Sequence, residues 1–143
     1  MKAMLKFAPL ACALLLPGAA LAQGVAGTWK AIDDETKQPK ALVQVSESPT
    51  GELSGRIVKL FANPDALCEQ CDGDRKGKPI QGMTILWGLK KAGDGWEGGK
   101  ILDPKKGAVY SAKMRLADDG KKLEVRGFMG VSLLGRTQIW ERQ

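Results

Sequence analysis

Gly27-Thr28-Trp29 near the start of the chain and Gly135-Arg136-Thr137-Gln138-Ile139-Trp140-Glu141-Arg142 at its end are the two stretches on which the fold turns. A Gly-x-Trp on a first strand and a basic, aromatic last strand are how many closed ligand-binding β-barrels begin and end. Closure makes the first and last strands neighbours. An arginine of one can then lie over the tryptophan of the other, held by the negative face of the indole ring.

Between these ends runs a series of short segments bounded by turn residues. The spacing predicts strands over Val25–Asp33, Ala41–Glu47, Leu53–Phe61, Met83–Lys90, Trp96–Leu102, Ala108–Leu116, Lys122–Met129 and Leu134–Arg142. Met83, Leu86 and Leu89 would also suit a short helix. Most connections are too short for anything but antiparallel neighbours, as at Ser48-Pro49-Thr50-Gly51. Eight antiparallel strands suit an all-β, up-and-down barrel able to hold one small ligand among its interior side chains. A β-sandwich is the alternative. Glycines inside the strand runs, among them Gly55, Gly98, Gly99, Gly127 and Gly135, favour the barrel, because strand glycines mark bends or close backbone approach.

Alternation predicts the lining. Val25, Gly27, Trp29 and Ala31 share one face of the first strand, and Ala108, Tyr110, Ala112, Met114 and Leu116 share one face of the sixth. Leu123, Val125, Gly127 and Met129 do so in the seventh. In the last strand Trp140 shares its face with Arg136, Gln138 and Arg142, while Ile139 takes the other. Which of the two faces inward is open at this level.

Residues 1–22 have the make-up of a cleaved export signal: Lys2 and Lys6, the apolar run Phe7–Leu16, and Ala20-Leu21-Ala22 before the cut. The apolar run is short of the roughly 20 residues needed to span a bilayer. A single domain, residues 23–143, is expected to remain, in the periplasm or secreted. Without Lys2 and Lys6 it carries 20 basic and 16 acidic residues, a net charge of +4. The signs are interleaved and no basic stripe stands out, which argues against nucleic acid. Weak contact with an anionic membrane surface stays open.

The whole chain lacks histidine. That excludes histidine bases, triads and His-ligated metals, and no enzyme activity, metal or cofactor is expected.

Several runs resemble a bacterial family of small exported proteins catalogued only as a domain of unknown function. They are Gly55-Arg56-Ile57-Val58, the Cys68-x-x-Cys71 loop, Ile80-x-Gly82-Met83 and Gly99-x-Ile101-Leu102-Asp103-Pro104. Arg126-Gly127-Phe128-Met129-Gly130 and Leu134-Gly135-Arg136-Thr137-Gln138-x-Trp140-x-Arg142 complete the set, in order along the whole domain. The resemblance implies a lipocalin-like barrel and is nearly silent on activity.

Two groups of residues are candidates for chemistry. Cys68 and Cys71 lie in a long polar loop, Ala62–Pro79. In an exported protein the pair favours a structural disulfide that pins the loop. A redox centre or half of a zinc site are the alternatives, with Asp72 or Asp74 completing the latter. The second group comprises Arg126, Arg136 and Arg142, with Arg56, Tyr110, Trp29 and Trp140. An arginine inside an apolar barrel holds a carboxylate or phosphate through paired charge-assisted bonds, and the tryptophans offer stacking faces. The competing role for Arg136 or Arg142 is a cap on Trp29 with no ligand contact. The expected function is binding of a small amphipathic or acidic molecule without catalysis. The alternative is a filled barrel acting as an envelope structural or protein-interaction module, with an unidentified protein partner.

Overall fold

The computed structural model describes residues 3–4 and 24–143, so the predicted leader lies almost wholly outside the described residues. Eight strands follow in chain order: β1 (Gly27–Ile32), β2 (Pro39–Glu47), β3 (Leu53–Leu60), β4 (Thr84–Ala92), β5 (Gly95–Asp103), β6 (Ala108–Ala117), β7 (Lys122–Phe128) and β8 (Arg136–Arg142). Each pairs antiparallel with the next, and β8 pairs with β1, which closes the barrel. The predicted segments match these strands to within a few residues, and Thr84–Ala92 is strand, not helix.

Two bulges bring the sheet round. Gly88 on β4 and Gly98 on β5 both have φ of 75°, a conformation that costs a side chain strain. Gly99 beside them is pressed by the Leu89 side chain and the Trp87 carbonyl, leaving no room for a Cβ. These bulges shift the alternation, so Leu86 and Leu89, three residues apart, both point inward and are fully buried.

The interior is packed in its lower half. Trp29, Val43, Val45, Leu53, Leu89, Leu123, Val125 and Trp140 are all at most 1% exposed. Among the described residues, every buried one is apolar. That is a core, and nothing in it resembles an interior anion site.

The closed end is sealed by Arg142. Its guanidinium lies 4.3 Å from the centre of the Trp29 ring. It donates to the carbonyls of Gly120 at 2.7 Å and Gly24 at 2.6 Å, and less closely to that of Ala26. Trp29 Nε1 donates to the Val25 carbonyl, 2.9 Å away, so the indole is fixed from both sides. Gly27 belongs to the same arrangement. Its φ is +142°, and a Cβ there would sit 3.1 Å from Arg142 Nη1. The Gly-x-Trp signature and the terminal arginine are therefore one structural unit.

The long connection between β3 and β4 forms a second, smaller core on the outside of the barrel. Cys68, Cys71 and Ile80 are buried there with Ile85 and Leu102, the outward-facing apolar residues of β4 and β5. Leu67 and Pro79 pair as an isolated bridge, and Cys68 N donates to the Lys78 carbonyl at 2.8 Å. Gly107, in the β5–β6 turn, touches the backbone of Gln70 so closely that only hydrogen fits. Arg75 covers the outer face of Trp87, 4.6 Å from its ring centre.

Replacing Arg142 by Ala removes the cap while leaving the strand. We expect it to lower unfolding free energy by about 2–3 kcal/mol, from the lost charge-assisted bonds and cation–π contact. Arg142→Lys should recover only a minor part, because an ammonium cannot reproduce the planar fork. Urea titration followed by tryptophan emission measures both.

Candidate functional site

Strand parity places Trp140 inward, 1% exposed, and with it the inward face of β8. Arg136 and Arg142 share that face, but the length of the strand separates them by about 20 Å. Arg142 is at the closed end and Arg136 at the opposite rim, so the two do not combine into one basic patch. Trp29 and Trp140 fill the sealed half and leave no ring face for a ligand.

Arg126, a candidate for holding a ligand, is on the outer face, as the alternation of its strand with Leu123 and Val125 predicts. Its neighbour Val125 is the buried, inward residue of β7. The Arg126 guanidinium donates to the Ser132 carbonyl at 2.7 Å and to Thr137 Oγ1 at 2.8 Å. Arg56 likewise faces solvent from β3. Met129 falls beyond the end of β7 and is 60% exposed, so it lines nothing.

Tyr110 does face inward. It pairs with Ile101 on β5, and a Cβ on Gly127 would lie 3.6 Å from its own Cβ. Ile101, Tyr110, Gly127 and Gln138 all take the inward face yet are only half-buried. On the other side of the barrel Ala31, Ala41 and Ile57 are buried. Solvent therefore enters between β5 and β8 at the end carrying the β1–β2, β3–β4, β5–β6 and β7–β8 connections. This end is the mouth.

Gln138 joins the site although only its face, shared with Trp140, is legible from sequence. Its Oε1 accepts from Trp140 Nε1 at 3.0 Å, which turns the amide NH2 away from the indole. Neither that NH2 nor the Tyr110 hydroxyl has a side-chain hydrogen bond among the described residues. Two polar groups are thus available on an otherwise apolar, glycine-floored mouth.

The rim is built by the β1–β2 turn. Asp33 Oδ1 accepts the backbone N–H groups of Glu35 and Thr36 at 2.9 and 2.8 Å, and Lys40 lies 3.4 Å from its other oxygen. The two backbone hydrogen bonds, more than Lys40, lower the Asp33 pKa to about 2. The turn so formed aims Asp34 and Glu35 at Arg136. Arg136 donates Nε to Asp34 at 2.8 Å and reaches Glu35 through Nη2 at 2.9 Å. The hydrogen bond from Arg136 to Asp34, and the charge of that carboxylate, raise the Arg136 pKa further. Pairing of β1 with β8 covers Trp29–Arg142 and Lys30–Glu141, and the Gln143 N–H donates to the Thr28 carbonyl just beyond, at the closed end. Nearer the mouth the seam is bridged by these side chains, and Arg136 is half exposed there.

Cys68 and Cys71 are joined as a disulfide and are 0% and 2% exposed. An inaccessible pair packed beneath Pro104 and Gly107 lacks the open face that thiol exchange requires. Its place is structural. Two concavities, of about 430 and 300 Å3, open on the outer surface. The first lies along the loop at Arg75, Lys78 and Met83; the second lies where the Gly98 bulge parts β5 from β6.

Residues 27–142 match the model of a family described as uncharacterised and conserved in bacteria, DUF2147, and the chain belongs to that family. No curated protein matches it significantly. Among solved structures it is similar to protein HP1028 of Helicobacter pylori, described as belonging to the lipocalin family. The TM-score is 0.74 at 17% identity, over 84% of this chain and 83% of that one. At that identity the likeness is one of fold: a closed, eight-stranded, lipocalin-like barrel.

Two outcomes are expected. Asp33→Ala should destabilise the protein by on the order of 1 kcal/mol at neutral pH, through loss of the turn hydrogen bonds. A carboxylate with a depressed folded-state pKa stabilises above its unfolded value near 4, and that stabilisation is lost as pH falls towards 2. The gap between wild type and variant in urea midpoint should therefore close over that window. For the disulfide, the folded protein should resist dithiothreitol under conditions that reduce it once urea is added. Thiol labelling with and without denaturant reads this directly.

Proposed function

We propose that the protein is an exported, non-catalytic binding protein that receives the apolar part of a small amphipathic or acidic molecule at the barrel mouth. The observation that carries this reading is the half-open inward face of Ile101, Tyr110, Gly127 and Gln138, set against an otherwise sealed interior. The filled lower half limits depth, so the ligand is short or only partly enclosed. Its polar end would meet the Tyr110 hydroxyl, the Gln138 amide and, at the rim, Arg136. An acidic group there competes with Asp34 and Glu35 for the guanidinium, which exchanges one charge-assisted pair for another. Export is supported by the leader-like residues 1–22 and by a disulfide of a kind that persists in oxidising compartments.

A second reading, a filled barrel serving as an envelope interaction module, is favoured by the wholly apolar set of buried residues. The two separate cleanly. Native mass spectrometry of the protein purified from an exported fraction, without detergent, should reveal adducts that leave on denaturation. Gly127→Val, which would place a side chain against Ile101 Cγ2, should weaken binding of the recovered ligand about tenfold by occupying the mouth. A bare mass, together with no change in tryptophan emission across a panel of fatty acids and lysolipids, would favour the filled barrel.

A further inference from the structure

The connection from β7 to β8 is arranged opposite to an ordinary surface loop. Met129, Val131, Leu133 and Leu134 are 60%, 58%, 88% and 77% exposed. Its polar residue, Ser132, is the one turned towards the protein. Lys113 Nζ donates to Ser132 Oγ at 3.2 Å, and Arg126 donates to the Ser132 carbonyl at 2.7 Å. A short 3-10 turn, Ser132–Leu134, and a Leu134 N–H bond to the Val131 carbonyl keep the backbone in this shape. Scattered exposed apolar residues need no explanation; four in one short loop held side-chain-outward by partly buried polar contacts do.

The surroundings say what would cover them. Val109 on the outer face of β6, 41% exposed, adds to the apolar surface at the same end of the barrel. The flanking charges on this side are mainly cationic: Lys100 and Lys113 on the outer faces of β5 and β6, Arg126 on β7, and Lys105 and Lys106 in the β5–β6 turn. Of the acidic groups nearby, Glu97 is exposed beside Lys113 and Arg126 without a salt bridge among the described residues, and four others are engaged. Asp103 accepts the backbone N–H groups of Lys105 and Lys106, Glu124 pairs with Arg115, and Asp34 and Glu35 are held by Arg136.

We propose that this loop docks the barrel, mouth first, onto an anionic phospholipid surface. The apolar side chains enter the interface between headgroups and acyl chains, while the flanking lysines meet lipid phosphates. This stands independently of any ligand in the mouth, because it uses the outer face and the loop alone.

Flotation with large unilamellar vesicles tests it. The protein should float with vesicles of equimolar phosphatidylglycerol and phosphatidylcholine, bind pure phosphatidylcholine much less, and lose binding as salt rises. Leu133→Asp with Leu134→Asp should reduce the bound fraction at least about tenfold, with the far-ultraviolet spectrum and melting transition unchanged. Lys105→Glu with Lys106→Glu should remove most of the preference for the anionic lipid. As a second measurement, an environment-sensitive fluorophore on Leu133→Cys should shift to the blue with anionic vesicles. Absence of flotation, flotation indifferent to the double aspartate change, or a label that stays in water would each overturn the proposal. So would a concentration-dependent dimer that the aspartates abolish, which would assign the patch to a second copy of the chain.

Discussion

Everything else in the barrel depends on the closure made by Arg142 over Trp29. A sheet of eight strands has two edges until the first and last meet, and here the backbone ladder between them is two residue pairs long. So short a seam gives little by itself. The guanidinium extends it by joining three backbone carbonyls, two from the segment before β1 and one from the β6–β7 turn, to the face of a buried indole. Gly27, with its φ of +142°, leaves that arginine room that a side chain would crowd. The closed end is thus determined by three positions at opposite ends of the chain.

At that other end the seam is held differently. The exposed Arg136 pairs with Asp34 and Glu35 in a region open to water, where solvent screening leaves an ion pair little to contribute. The barrel is thus tied tightly at one end and lightly at the other. The disulfide-pinned loop adds rigidity to the side where β4 and β5 bulge, because its small core covers the outward apolar residues Ile85 and Leu102. Without that cover those two strands would present apolar side chains on both faces.

Much of this architecture is legible in the amino-acid sequence. Regular alternation makes β6 readable down to Tyr110, and Gly27-x-Trp29 with a terminal arginine points to the seam. What escapes is geometry that parity does not encode. Alternation says which residues share a face, but not that Arg136 and Arg142 on one face stand at opposite ends of a strand as long as the barrel. It also assumes an unbroken period of two, and the paired bulges at Gly88 and Gly98 break it. A ligand role for Arg126 rests on residue type alone, whereas its neighbour Val125 already claims the interior. Met129 continues the apolar pattern one residue past the end of its strand, and nothing in a pattern marks where pairing stops.

The distribution of charge ties these points together. A buried guanidinium or carboxylate costs several kcal/mol unless fully paired, and the described buried residues avoid that cost by being wholly apolar. Arginine therefore works at the two ends of the barrel and on its outside: sealing the base, tying the rim, and anchoring the β7–β8 loop. In each place it holds backbone or carboxylate groups of its own chain. What these contacts leave unengaged is, at the mouth, a phenol, an amide and a glycine floor, and beside it a loop whose apolar side chains face away from the protein.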